Sequence, residues 1–486
     1  MLQLILLGLV VVLFYWYAIK PMSYWRERGV LQQKPMWLFG DSWRIFLRLE
    51  SFASMFQRAY DLDPNSRIVG IYQFTTPVLL IKDPQLLKKV TLKDAEYFMN
   101  RRQVLPENGD PLFTKNLIGL KDQKWRNMRH ILTPSFTSSK MKTMFALIDE
   151  CCIKFVKHIS QKDQEVVKVT MMDIVGRFAC DVIASTAFGF RSNAMEDPNN
   201  DFYVMSEDLT NFTTARKSFK IIGFMLVPKL LEVSVKCYET YCLSMDYMIH
   251  ICIIHFLSEK SSSAIQEINV EDITAHAIIF FFAGFDSVSS LISFMSYELA
   301  LHPDIQARLR QEIDAGFKEC NGKMNYETLM KMKYLDMVIS ESLRKWPSFP
   351  LSDRWCNKTY TLEPEAPNEK PIIIQKDLLI IIPIKAIHRD PKYFPDPERF
   401  DPERFSDENK DKIDPYTYLP FGLGPRNCIG SRFALMEIKS WFAHVLHNFE
   451  IVPTADTQIP VQESKKTFTL QPEDGLKLGF KRCQKI

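Results

Sequence analysis

The sequence predicts a mainly α-helical fold with a small β portion, preceded by an N-terminal transmembrane helix. Three observations carry that expectation. Leu2 to Ile19 reads LQLILLGLVVVLFYWYAI, with no charge and Gln3 as its one polar residue, and a run of about 18 to 20 apolar residues is what a helix needs to cross a bilayer. Apolar residues then recur with helical period through most of the chain. Runs rich in β-branched and aromatic residues and bounded by turn residues are short and few.

Taken in order, residues 1–20 form the anchor. It ends in Tyr15, Trp16 and Tyr17, which suit the headgroup level. Lys20, Arg26, Arg28 and Lys34 follow, and positive charge on that side favours a cytoplasmic body. The basic n-region and small-residue cleavage site of a removable signal are absent. Residues 21–36 form a basic, Pro-containing hinge that ends in Lys34-Pro35-Met36. The body, 37–486, has no Gly/Ser linker, Pro-rich tract or internal repeat, so one large domain is expected. Residues 66–82 read as a hairpin broken at Thr75-Thr76-Pro77. Helices are expected over 84–91, 121–132, 140–160, 170–188, 271–301, 303–317, 332–345 and 431–448. Strands are expected around a turn in 371–384 and in the tail, 466–482. Region 215–270 is unusually apolar and lacks the polar face of an ordinary surface helix.

A formal charge of +3 on 486 residues gives no reason to expect nucleic-acid binding. The ten cysteines include no C-x-x-C pair, which argues for reduced thiols rather than a disulfide framework or zinc site. One cysteine is distinct. Pro420 to Gly430, PFGLGPRNCIG, packs three glycines and two prolines into eleven residues, which forces a tight, fixed loop. A strong helical pattern begins at Ser431. Cys428 therefore sits just before a helix N-terminus, where free N–H groups and the dipole favour a thiolate. Arg426 adds positive charge two residues away.

Phe421, Gly424, Arg426, Cys428 and Gly430 match the F-x-x-G-x-R-x-C-x-G signature, and the chain resembles the cytochrome P450 family from about Pro35 to Arg482. Further segments match in the right order. Glu341 and Arg344 fit an E-x-x-R helix motif. The two tandem copies Pro397-Glu398-Arg399-Phe400 and Pro402-Glu403-Arg404-Phe405 offer the Arg that closes this structural trio, and spacing favours Arg404. Trp125 and Arg129 fit W-x-x-x-R, and Ala283-Gly284-Phe285-Asp286-Ser287 fits A/G-G-x-D/E-T with Ser in place of Thr. The details look most like the insect family nine, near the drug-metabolising family three.

The resemblance implies a microsomal haem-thiolate monooxygenase that inserts one atom of dioxygen into a lipophilic substrate. Haem b (iron-protoporphyrin IX) would be the cofactor and Cys428 its axial metal ligand, donating electron density that promotes O–O cleavage. Arg426, Trp125, Arg129 and Arg354 would bind the haem propionates. Asp286 and Ser287 would relay protons, and Gly284 would leave room for dioxygen. Phe282, Ala283 and Phe285 would line the substrate pocket. With no G-x-G-x-x-G fingerprint, electrons from NADPH must arrive through a partner. That partner is expected to be NADPH-cytochrome P450 reductase, with cytochrome b5 as a second candidate, docking on Lys121, Lys124, Arg126 and Arg432. The endoplasmic reticulum membrane is the implied location. A peroxide-rearranging isomerase or dehydratase and a haem sensor or carrier are the rivals. Against the family, region 215–270 reads as shortened by a few tens of residues, where the roof of the substrate pocket is expected.

Overall fold

The computed structural model describes residues 1–102, 111–210, 269–364 and 370–483. Of the stretch 215–270 only Asn269 and Val270 are described, so the expectation of a shortened roof there lies outside the described residues.

The first helix, α1 (Leu2–Phe14), has no buried residue, and the chain continues in helical backbone to Glu27, where Ala18, Met22 and Trp25 are buried. An apolar helix with no protein face to cover it is a candidate membrane anchor. The chain then enters a β-rich layer. Ser51 caps α2 (Phe52–Tyr60) by accepting a hydrogen bond from the Ser54 N–H at 3.2 Å. The hairpin β1 (Ile68–Gln73) and β2 (Thr76–Ile81) turns at Phe74, whose φ is +55°.

Helices dominate from there: α3 (Asp122–Leu132), α4 (Ser138–Ser160), α5 (Met171–Ala187), α6 (Asp201–Thr210), α7 (Val270–Leu301), α8 (Pro303–Glu319), α9 (Lys333–Lys345) and α10 (Ser431–Asn448). The mainly α class holds, and all eight expected helical ranges recur within a few residues, the first as Pro84–Lys88 continued in helical backbone to Lys93. The short strand β3 (Val166–Thr170), α2 and α6 were not anticipated.

The strands expected in 371–384 are present, but they do not pair with each other. β6 (Ile372–Ile374) pairs with β5 (Tyr360–Leu362), whereas β7 (Leu379–Ile382) joins a four-stranded sheet ordered β1-β2-β7-β4, with β4 over Ser352–Trp355. In the tail only β9 (Lys477–Arg482) is strand; it lies between β3 and β8 (Phe449–Val452).

Two apolar cores divide the fold. One joins α4, α5, α7, α8, α9 and α10 around Phe155, Phe178 and Trp441; the other fills the space around the four-stranded sheet. α7 is long and apolar enough to cross a membrane, yet two thirds of its most apolar stretch is buried inside the protein. It is the central core helix, begun by Asn269, whose side chain accepts from the Asp272 N–H at 2.8 Å.

Candidate active site

The site starts from the loop before α10. Gly422 and Gly424 hold φ of +74° and +75°, a conformation that costs other residues about 1 kcal/mol or more. At Gly424 a Cβ would also lie 2.1 Å from the Thr91 carbonyl oxygen, so no side chain fits. The Cys428 N–H donates to Phe421 O at 2.8 Å and closes the loop.

Cys428 is the exposed cysteine among the described residues; Cys151, Cys152, Cys180 and Cys356 are buried. Its side chain is exposed although protein surrounds it densely, as in a residue at the floor of a concavity. The expected thiolate preference is outweighed here. Burial pushes the thiol up, while the Gly430 N–H and the charges of Arg129 and Arg101 pull it down by less. A metal at the sulfur would deprotonate it outright.

Around this loop the structure gathers arginines. Arg426 is buried, stacks 4.0 Å over the Trp125 ring, and donates to the carbonyls of Met99, Leu117 and Leu120 at 2.7–3.2 Å. Arg129 donates to the Asn427 carbonyl and side chain, both at 2.9 Å. Arg354 donates to the Leu423 carbonyl at 2.7 Å. Arg101, which the sequence reading passed over, donates to the Arg426 carbonyl at 3.0 Å and pairs with Asp353 at 3.6 Å. Its neighbour Arg102 is in the same cluster, with its N–H on Asp353 at 2.7 Å.

Burial, then the mutual repulsion of these cations, brings both Arg354 and Arg426 down to about 9. The acids within reach are Asp353 and Asp122. Such a surplus of half-buried positive charge beside a soft sulfur donor fits a dianionic ligand that carries a metal. Haem, with its iron and two carboxylates, meets both requirements.

α7 supplies the other side. Phe280 packs against the cluster of Met99, Leu117, Trp125 and Leu132, as does Ile429, the neighbour of Cys428. Ala283 and Ser287, three and seven residues on, share that helix face and are half-buried. The Ser287 hydroxyl donates back to the Ala283 carbonyl at 2.5 Å, which fixes it despite the absent methyl group.

Two expectations need correction. Phe285 is not on this face. It is buried in an aromatic cluster, 5.6 Å from Phe281 and 6.2 Å from Tyr203, because residues 281 and 285 both turn toward α5 and α6. The open side of Gly284 also faces α5: a Cβ there would lie 2.9 Å from Ile183 Cδ1, so close helix packing accounts for the glycine. Phe282 is half-buried on a third face.

Asp286 is buried, and burial raises its carboxyl from 3.8 to about 6 even though Thr469 and Gln471 hydrogen-bond to it. Those partners lie more than 180 residues downstream, beyond the reach of any local pattern.

Beneath the loop, Glu341 and Arg344 are fully buried and joined by two bonds of 2.7 and 2.8 Å. Of the tandem copies, Arg404 is the one whose side chain reaches Glu341, at 3.5 Å. Arg399 contributes only its carbonyl, to Arg344. His388 extends the network: its Nδ1 contacts the Arg344 carbonyl at 3.2 Å, and its Nε2 accepts from the Leu419 N–H at 2.7 Å. Burial drives His388 down to about 3, so it is neutral and ties the trio to the segment entering the cysteine loop.

The comparisons agree with this geometry. Residues 32–480 match the family model described as Cytochrome P450. The chain is 40% identical over 503 residues to cytochrome P450 9e2 of Blattella germanica, covering 94% of this chain and 93% of the relative. It is 36% identical to probable cytochrome P450 9f2 of Drosophila melanogaster, covering 97% of each. It is 33% identical to cytochrome P450 6j1 of Blattella germanica, covering 96% of this chain and 95% of the relative. Matched over nearly its whole length, the chain belongs to the cytochrome P450 family of haem-binding monooxygenases.

Proposed function

We propose that the protein is a microsomal haem-thiolate monooxygenase that oxidises lipophilic small molecules, xenobiotics or endogenous lipids, with electrons from NADPH. The observation that carries this reading is the exposed Cys428 in a glycine-shaped loop, with Arg101, Arg129, Arg354 and Arg426 gathered on that loop and Phe280 of α7 packed against the apolar cluster beside it. Haem b, when bound, supplies the redox iron at which dioxygen is activated.

The chain's own residues do the rest. Cys428 holds the iron through its sulfur. The arginines and Trp125 hold the propionates and the loop together. Phe282 and Ala283 present apolar surface to the substrate and keep water out. Asp286, its carboxyl near 6, exchanges a proton close to neutral pH, and the pinned Ser287 hydroxyl offers its lone pairs to that proton. Glu341, Arg344 and Arg404 are structural.

The exposed Lys124, Arg126 and Arg432, with Lys121, offer a cationic face to NADPH-cytochrome P450 reductase, with cytochrome b5 as a second donor. α1 anchors the protein in the endoplasmic reticulum membrane as a single pass, and basic residues after it keep the body cytoplasmic.

The test is Cys428→Ala in the full-length protein. The thiolate-type spectrum of the reduced, carbon monoxide-bound protein is expected to disappear, together with reductase-dependent product formation. A variant that keeps that spectrum would refute the assignment.

A further inference from the structure

Asp286 is held by the C-terminal segment rather than by its own helix. The Gln471 side-chain amide donates to Asp286 Oδ1, and Thr469 bonds the same carboxyl. Between them, Leu470 accepts from the Ser290 hydroxyl, one turn further along α7. The Leu470 N–H donates to the Ser348 carbonyl at 2.8 Å, and the Ser348 hydroxyl donates to the Ser287 carbonyl at 2.8 Å. The segment is itself braced: the Ser464 N–H donates to Gln471 O and the Glu473 N–H to Gln462 O, both at 2.8 Å. Residues 469–471 thus clasp the turn of α7 that carries the acid.

We propose that Gln471, assisted by Thr469, is a positioning residue for proton delivery, holding one oxygen of the Asp286 carboxyl so that the other carries the proton. The inference rests on the reading of Asp286 as a proton carrier. Protonating the oxygen that accepts the amide N–H weakens that bond, so the proton is favoured on Oδ2. The proton therefore travels on Oδ2, with the rotamer set from outside the helix. The Ser287 hydroxyl, whose hydrogen is committed to the Ala283 carbonyl, stands on the adjacent position as an acceptor.

The electrical surroundings are simple. Burial is the largest influence on Asp286, and the two groups that oppose it, Thr469 and Gln471, are both neutral. Along α7 the titratable neighbours are His276, Tyr297 and Glu298, about 15, 17 and 18 Å away at roughly 1.5 Å per residue. The charged groups of the packed elements, Asp173 and Arg177 of α5, Glu341, Arg344 and Lys345 of α9, and Glu473 and Asp474 of the C-terminal segment, are not among the groups that shift it.

The experiment uses the haem-loaded full chain. The protonated carboxyl stretch is titrated by difference infrared spectroscopy and assigned by its absence in Asp286→Asn. Replacing the amide by Gln471→Leu removes a donor to the carboxylate, so the midpoint is expected to rise by about one pH unit, roughly tenfold in the acid-to-carboxylate ratio at fixed pH. The pH profile of product formed per NADPH consumed should move in the same direction. Thr469→Val should give a smaller rise and serves if Gln471→Leu does not fold. An unmoved midpoint in a folded variant would overturn the positioning role while leaving the proton-carrier reading intact. Unchanged coupling in Asp286→Asn would instead overturn the proton-carrier reading on which it rests.

Discussion

Replacing Asp286 by Asn should stabilise the protein at neutral pH and not at acid pH. The side chain is 3% exposed, and burial raises its carboxyl from 3.8 to about 6. Asn is nearly the same size, has no charge to bury, and keeps an oxygen for the Gln471 amide. A raised carboxyl means that the unfolded chain gives up its proton before the folded one does. Below about pH 4 the group is protonated in both states and contributes no pH-dependent cost. Stability then falls through the window from about 4 to about 6 and is level above it. The difference of about two pH units corresponds to about 3 kcal/mol at roughly 1.4 kcal/mol each. Urea unfolding of parent and Asp286→Asn proteins across about pH 4 to 8 measures the gap. The variant's advantage should grow by about 3 kcal/mol across that window and stay constant above it. An advantage independent of pH, or one largest in acid, would refute the reasoning.

Three further outcomes are expected. Deleting residues 1–20 should shift the protein from the membrane fraction toward solubility with its haem spectrum intact, since α1 is exposed along its length; lost haem binding would show that the helix packs into the fold. Arg344→Ala leaves the Glu341 carboxylate buried without its bidentate partner and should destabilise by about 3 to 5 kcal/mol, read as lowered urea midpoint and holoprotein yield; a shift below about 1 kcal/mol would mean that the site relaxes or takes up water. Gly424→Ala should abolish the cysteine-ligated spectrum, because its Cβ would strike the Thr91 carbonyl, whereas Gly322→Ala, also at positive φ but with nothing within 4 Å, should cost about 1 kcal/mol and leave the spectrum unchanged.

What was legible in the sequence was local. The cysteine loop is written in eleven consecutive residues, because positive φ, proline restriction and the start of a helix are properties of neighbours along the chain. The boundaries of α3, α4, α7 and α10 follow from apolar period for the same reason. The candidate anchor is legible because an 18-residue apolar run is long enough to span a bilayer as a helix. The trio of Glu341, Arg344 and Arg404 was readable as motifs, but the choice of Arg404 over Arg399 became a distance only in the fold.

Tertiary structure decided the rest. Helical period places Phe281 and Phe285 on one face, but whether that face meets haem or helix depends on where α5 and α6 pack. Gly284 could serve a ligand or a neighbour until Ile183 is seen filling the space beside it. The two strands of 371–384 join different sheets because the partners of one come from 76–81 and 352–355 and the partner of the other from 360–362, which no pattern inside the segment specifies. Arg101 looks like an ordinary surface charge until Asp353 and the Arg426 carbonyl are brought beside it. Asp286 owes its raised proton affinity to burial, and Gln471, 185 residues away, opposes that rise by donating to the carboxylate. Sequence determines the conformations a short segment can adopt; which groups lose water together, and so change charge and chemistry, is settled only when distant segments pack.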